Sequence, residues 1–368
     1  MEDAILRRTW AEIDLDALEH NYKVARTRIG DGVKYLGVVK ADAYGHGAIQ
    51  VSRKLEQLGA DYLAGASLDE ARELRHAGIT LPILILGHTP SEMVPQLISY
   101  HITQAVSAMA KAEEYSAEAQ KCGGTLRVHI KVDTGMHRTG IPYDLAADEA
   151  EKIAALPGIR LQGIFTFRGM IYDGKTDVDC KKCGIQEGEI MVALAEKIRS
   201  RGIPIEDVSV GSTPTGEFCA EVPGVTEVRP GTYLFQDMMQ VNTHACSSTL
   251  EDVAAVIRVQ VVSTCKKGVV VIDCGCKSIS TDVGQDKFPY FLQGYGTVVG
   301  HPELHFERLS EEHGMLRPDG PCSVKTGDIL EIIPNHICPA INLYDHVYLK
   351  KSGEIYGTYQ VAARGKNY

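Results

Sequence analysis

A single lysine closes an apolar run. The segment reads Tyr35-Leu36-Gly37-Val38-Val39-Lys40 and continues into Ala41-Asp42-Ala43-Tyr44-Gly45-His46-Gly47. An ammonium is costly to hold among apolar groups, and burial lowers its pKa toward neutrality. A neutral amine in that position can attack a carbonyl and form a Schiff base. The alternative for Lys40 is a side chain that snorkels to the rim. A second chemical pair lies far down the chain, in Pro334-Asn335-His336-Ile337-Cys338-Pro339. On an extended segment His336 and Cys338 point to the same face. One thiolate and one imidazole suit zinc, and manganese or cobalt less well. Two protein ligands would leave positions open for water or substrate. Read alone, the same two residues are better explained as a half-buried histidine and a core cysteine. His313, between Glu312 and Gly314, could orient a metal-bound water or act as a base, or serve as a structural loop histidine. The loop Val210-Gly211-Ser212-Thr213-Pro214-Thr215-Gly216 has the composition of an anion cradle: glycine for close approach, hydroxyls as donors, and a helix start behind them.

These residues need elements to hold them. Short strand-like runs occur at Tyr35–Val39, Tyr62–Ala66, Ile83–Leu86, Ile102–Val106, Leu126–Val132, Leu161–Phe165, Val208–Val210 and Thr226–Val228. Most intervals between them carry amphipathic helical patterns, such as Ile190, Leu194 and Ile198 at four-residue spacing. Asp14 is a plausible N-cap for a helix reaching Ile29. Short apolar strands joined by helical intervals predict an α/β fold, a (β/α)8 barrel, with an open doubly wound sheet as the alternative. In a barrel, function sits at the carboxyl ends of the strands, and Lys40 occupies such an end. From about residue 241 helical periodicity fades. Val253–Val262, Gly268–Asp273, Gly294–Val299, Ile329–Ile333 and Tyr344–Lys350 read as strands of a second, mostly β domain. The expected division is therefore a barrel over 10–240 and a β domain over 241–368.

Bulk properties narrow the functional classes. The chain has 368 residues, enough for two domains, with 44% hydrophobic and 23% charged residues. A net charge of −10 argues against a nucleic-acid surface. No apolar run is long enough to span a bilayer, and the Met1-Glu2-Asp3-Ala4 start lacks the basic and apolar regions of a signal peptide. The ten cysteines then read as reduced thiols in a cytoplasmic protein. Cys180-Lys181-Lys182-Cys183 is a lone CxxC without a second half-site.

The segment Val38–Gly47 resembles the cofactor-lysine motif of the alanine racemase family, pyridoxal-phosphate enzymes of fold type III. Trp10–Asn21 resembles the start of that family. The resemblance implies that Lys40 carries pyridoxal phosphate as a Schiff base and that Tyr44 reaches the phosphate. His129–Gly140 resembles the family pattern K-V-D-T-G-M-x-R, which places Arg138 near the ring substituents. Gly163–Gly169 departs from the pattern. Phe167 stands where relatives carry a histidine on the ring face, although an aromatic can still stack there. Glu227-Val228-Arg229-Pro230-Gly231-Thr232-Tyr233 matches the segment whose arginine faces the pyridine nitrogen. Gly231 would let the backbone approach the phosphate, with Tyr233 beside it. A structural ion pair with Glu227 is the alternative for Arg229.

The second half resembles another branch. Asp273–Ser278, Ser310–Gly314, Pro334–Leu343 and Ala363–Gly365 resemble the metal-dependent D-threonine aldolase and D-serine dehydratase family. In that family the phosphate loop matches Ser212 and Thr213, and a divalent metal is held by an H-x-C/D pair, here His336 and Cys338. The resemblance implies a lyase acting on a small β-hydroxy D-amino acid, and cysteine as second ligand favours the dehydratase side. It also implies a homodimer with shared active sites, and residues 1–9 joining the β domain. An amino-acid racemase is the first alternative, because the first half carries the racemase motifs. A non-catalytic pyridoxal-phosphate carrier is the second, and the long β domain counts against it.

Overall fold

The computed structural model describes residues 7–243 and 248–366. The part of the expected N-terminal addition that falls on residues 1–6 lies outside the described residues. Two compact units emerge. One comprises Tyr22–Ala43 and Ala48–Gly231; the other comprises Met1–Asn21, Tyr44–Gly47 and Thr232–Tyr368.

The first unit is a closed barrel of eight parallel strands with helices, the expected (β/α)8 architecture. The order around the ring is Lys34–Val38, Tyr62–Gly65, Ile83–Ile85, Ile102–Val106, Leu126–Asp133, Ile159–Phe165, Asp207–Val210 and Glu227–Val228. Pairing of Val228 with Tyr35 closes it. The strands read as apolar runs rather than alternations because a parallel strand wrapped by helices is buried on both faces; Tyr62–Gly65 and Ile83–Ile85 are buried throughout. The helix Leu68–His76 is started by Ser67, whose side chain accepts from the Glu70 amide, and Cys180–Arg199 is started in the same way by Asp179. Cys180 and Cys183 fall in the first turn of that second helix, buried and free. Burial pushes both thiols up to about 11, which makes them inert.

Charge is also buried within this unit. Asp207 is fully buried and accepts from Lys34 Nζ and Gln162 Nε2, each at 2.7 Å, while His129 Nε2 lies 3.2 Å from it. Room for this cluster comes from Gly163, where a Cβ would lie 2.6 Å from the Asp207 carbonyl oxygen and 3.1 Å from His129 Nε2. Burial alone would raise the Asp207 pKa. His129 and Lys34 outweigh it and hold the carboxyl well below the usual carboxylate range.

The second unit is a nine-stranded, mostly antiparallel sheet. Its main path runs Leu304–Leu309, Gly314–Pro318, Val270–Ile272, Ala255–Ser263, Thr9–Asp14, His346–Lys351, Glu354–Gln360. Ile329–Pro334 pairs with both Ala255–Ser263 and Gly296–Val298. Alternate residues Ile257, Val259 and Val261 turn into a core shared with Ile272, Leu316, Leu330 and Ile332. Asp14 caps the following helix as expected, accepting from the Asp16 and Ala17 amides. Thr9–Asp14 itself is a strand of this sheet. Among the described residues no helix is long and apolar enough to cross a membrane.

Replacing Asp207 by Asn should destabilise the protein by about 3 kcal/mol, because it breaks a buried pair and leaves His129 and Lys34 without their carboxylate. The native pKa is depressed, so this stabilisation is present above the unfolded value near 4 and is lost as the pH falls through and below it. Urea unfolding of both proteins at pH 7 and pH 3.5 checks this: the gap should be wide at pH 7 and narrower at pH 3.5. Equal midpoints at pH 7 would contradict it.

Candidate active site

Lys40 follows directly on the strand Lys34–Val38 and is half-buried. The chain then makes a turn unusual for residues with a Cβ. Ala41, Asp42, Ala43 and Tyr44 all have left-handed φ, at 50°, 59°, 51° and 58°. Each such residue costs roughly 1–2 kcal/mol relative to the right-handed conformation. The Ala43 amide donates to Val39 O at 2.8 Å, the Ala41 amide to Glu70 Oε1 at 2.8 Å, and the Ala48 amide to Asp42 Oδ1 at 2.7 Å. These bonds hold the strained turn in place. Strain maintained at a strand end is a recurrent mark of functional sites.

Further cations come from other strand ends. Lys131, near the end of Leu126–Asp133, donates to Thr139 Oγ1 at 2.6 Å. Burial, then Arg138, Arg229 and Lys40, push its pKa down to about 8, against the pull of Asp133. Arg138 is exposed, with its guanidinium 5.2 Å from the Phe167 ring centroid. Arg229 is buried and donates to Ser209 Oγ at 2.6 Å and to the Thr166 carbonyl. Its guanidinium lies 5.3 Å from the Phe165 ring centroid. Burial lowers its pKa, while Glu187 and Glu227 support the charge. The Glu227 carboxylate reaches Arg229 through Ser209, whose hydroxyl donates to it. The expected ion-pair alternative is therefore a relayed contact.

The loop after Asp207–Val210 carries the candidate anion-binding groups. Ser212, Thr213 and Thr215 are all buried. Ser212 Oγ is 2.9 Å from Thr215 Oγ1, and the Gly231 amide lies 3.4 Å from Thr213 Oγ1. Gly211 has φ +82°, and a Cβ there would meet Gly216 Cα at 2.8 Å, so only glycine lets the loop fold this tightly. A primary amine on a rigid strand end, a buried and hydrogen-bonded guanidinium, and a loop of hydroxyls and amides among excess cations form a donor set that fits pyridoxal phosphate.

The β unit holds the other candidates. His336 stands at the N-cap position of the short helix Ile337–Ile341, after the strand Ile329–Pro334, and Cys338 lies inside that helix, so the pair does not share the extended segment expected of it. Nδ1 of His336 lies 2.7 Å from Asp282 Oδ2, and the His336 carbonyl accepts from Ser280 Oγ at 2.8 Å. Between the two candidate ligands, the Ile337 amide donates to Asp237 Oδ2 at 3.1 Å. Asp237 is fully buried, which raises its pKa to about 6. Cys338 is half-buried, 3.6 Å from Thr232 Oγ1. Among the described residues no cluster of three or more His, Cys, Asp or Glu is arranged to hold a metal. The donor chemistry of one imidazole and one thiolate nevertheless fits a zinc-like ion with open positions. Tyr233 is buried, and Tyr44 half-buried at the end of the left-handed turn. His313 is exposed, and its carbonyl accepts from the Ser310 amide at 2.8 Å. Two of this domain's motif blocks are joined directly, the Cys276 amide donating to Ser310 O at 2.9 Å, and Tyr344, next after the third, donates its OH to Ser278 O at 2.8 Å. Lys131, Asp282 and Asp237 were given no role by the sequence. Lys131 lay inside a recognised motif, but neither aspartate carried a distinguishing local signal.

The barrel with its strand-end lysine, buried arginine and hydroxyl-rich loop, together with a mostly β domain, has the architecture of fold-type III pyridoxal-phosphate enzymes. The chain belongs to the family described as alanine racemase, N-terminal domain, whose model matches residues 13–238. A serine dehydratase domain model matches residues 254–350. The alanine racemase of Desulfovibrio desulfuricans is 41% identical over 189 residues, 51% of this chain and 50% of the racemase. The chain thus spans about half the length of the curated relatives it matches. Among solved structures, the D-threo-3-hydroxyaspartate dehydratase from Delftia sp. HT23 is 27% identical, with 97% of each chain covered and a TM-score of 0.82. Variants of that dehydratase with a histidine or, two positions on, a cysteine replaced by alanine also match at 27% identity and a TM-score of 0.83, the cysteine variant in metal-free form. The D-threonine aldolase from Filomicrobium marinum shares the fold at 22% identity, with 99% and 96% coverage and a TM-score of 0.82.

In the cofactor-free protein, peptide-resolved amine labelling across pH should give Lys131 a midpoint near 8, against values above 10 for ordinary lysines. Added inorganic phosphate should move that midpoint upward by neutralising the neighbouring cations. A Lys131 midpoint above 10 without phosphate would contradict the crowding of cations.

Proposed function

We propose that this protein is a pyridoxal-phosphate- and divalent-metal-dependent lyase acting on a small β-hydroxy D-amino acid, such as D-serine, a D-threonine-like compound or 3-hydroxyaspartate. Dehydration is the favoured outcome and aldol cleavage the neighbouring one. The observation that carries this is the fastened His336-Ile337-Cys338 element, in which Asp282 occupies Nδ1 of the histidine. Its histidine-x-cysteine spacing is that of the two residues replaced in the dehydratase variants.

Pyridoxal phosphate, when bound, supplies an electron sink for charge developing at the substrate Cα, and a divalent ion supplies a Lewis acid for the β-hydroxyl. Lys40 Nζ would attach the cofactor and, once released by substrate, hold or return the proton at Cα. Arg229, fixed by Ser209 and Thr166, would keep a permanent cation beside the ring nitrogen and so disfavour a proton there. Ser212, Thr213, Gly231 and Tyr44 would bind the phosphate, with Tyr233 beside them. Phe167 would offer an aromatic face in place of a histidine, and Arg138 would orient ring substituents from its place over Phe167. His336 Nε2 and Cys338 Sγ would hold the ion, and His313 would act on water at its open positions. Manganese or cobalt could replace zinc. A homodimer sharing its sites goes with this reading.

A second reading, an amino-acid racemase, is favoured by the match of the barrel half to alanine racemases. Product analysis separates the two. Incubated with pyridoxal phosphate and D-serine or D-threonine, the protein should yield keto acid and ammonia, and chelation should abolish the yield. Glycine plus aldehyde, also lost on chelation, would make it an aldolase. Alanine or serine changing hand despite the chelator would make it a racemase. Lys40→Ala should lower any of these activities by at least about 100-fold and remove borohydride labelling of the Lys40 peptide. Full labelling of another lysine would contradict the assignment of Lys40.

A further inference from the structure

We infer that Asp282 is the positioning residue for the candidate metal site, fixing the tautomer and ring direction of His336 so that Nε2 alone faces the ion. The inference rests on the metal-dependent reading above.

Two contacts immobilise the His336 main chain. Its carbonyl accepts from Ser280 Oγ at 2.8 Å, and the next amide, Ile337, donates to the buried Asp237 carboxylate at 3.1 Å. Neither bond fixes the ring, which can still rotate about its side-chain torsions. Asp282 removes that freedom. Its Oδ2 lies 2.7 Å from Nδ1, within the range of a charge-assisted hydrogen bond. A carboxylate can only accept there, so Nδ1 must carry the proton, and in the neutral ring Nε2 then keeps its lone pair. The carboxylate also makes the ring a stronger base and a better ligand.

The position of Asp282 argues for a role beyond stability. Its side chain is 46% exposed and that of His336 is 28% exposed, so the pair contributes little to folding. Ser280 and Asp282 stand two apart in one segment and grip the carbonyl and the ring of the same histidine. With only two protein ligands proposed for the ion, loss of orientation at one of them weighs heavily on affinity.

The test uses the full-length protein, stripped of metal and titrated with Zn2+ against a chromophoric chelator. Asp282→Ala should weaken zinc binding roughly 10–100-fold, with the melting temperature of the metal-free protein unchanged. Asp282→Asn, whose carbonyl can still accept from Nδ1, should recover most of that loss. The Co2+ ligand-field spectrum of the Asn variant should match wild type, because the ligands themselves are unchanged. In zinc-loaded wild type, 15N NMR of the histidines should show Nδ1 of His336 protonated, a result that requires no variant to fold. Wild-type affinity in Asp282→Ala, or a bare Nδ1, would overturn the inference. So would equal losses in both variants together with an altered Co2+ spectrum, which would make Asp282 a ligand. His336→Ala is the control for the underlying reading. If it binds zinc like wild type, the metal site itself is wrong and this inference falls with it. If it loses zinc while Asp282→Ala does not, only the role of Asp282 fails.

Discussion

Four cationic side chains crowd one neighbourhood of the barrel, and the structure has to tolerate their repulsion. Burial lowers the Lys131 pKa most, and Arg138, Arg229 and Lys40 push it further down against the pull of Asp133. A protein gains nothing in stability from gathering like charges. Such a cost fits the proposed binding of an anion there, and the buried hydroxyls of Ser212, Thr213 and Thr215 have the chemistry to receive a phosphate. The left-handed turn after Lys40 fits the same logic. Glu70 and Asp42 tie down a backbone that Ala and Tyr would not adopt unaided. Strain and repulsion are both placed where a covalently held, dianionic cofactor would relieve or exploit them.

In the β unit a short segment carrying an imidazole and a thiol is fastened from three sides. Asp237 holds the amide between His336 and Cys338, Ser280 holds the histidine carbonyl, and Asp282 holds its ring. Burial of Asp237 raises its pKa, yet three backbone amides, those of Ile337, Gln240 and Met239, solvate its carboxylate in place of water. On the proposed reading, both ligands would be fastened before any ion arrives, as a site of few protein ligands requires.

Much of this was legible in the sequence, and the reasons differ by element. All eight barrel strands were visible because a parallel strand buried on both faces is an uninterrupted apolar run. Lys40 stood out as the charge that ends one of them. Leu304–Leu309 and Glu354–Gln360 were not visible, since in an antiparallel sheet one face meets water and His305, Glu307 and Glu354 break the run. Thr9–Asp14 carries no strand signal of its own. Its strand character comes from partners near Val256 and Val347, far beyond any local window. The left-handed turn carries no glycine until Gly45 and so gave no warning. Asp282, Asp237 and the shifted amine of Lys131 depend on distant neighbours, and nothing in their own sequence surroundings reveals them.

On the proposed reading, His336 and Cys338 together hold a catalytic metal ion. X-ray absorption at the zinc edge of the loaded, full-length protein tests it most directly. The expected spectrum has one sulfur near about 2.3 Å and one imidazole nitrogen near about 2.0 Å, with the remaining scatterers light oxygen atoms. A zinc shell without sulfur, or a protein that retains no stoichiometric zinc after dialysis, would contradict it.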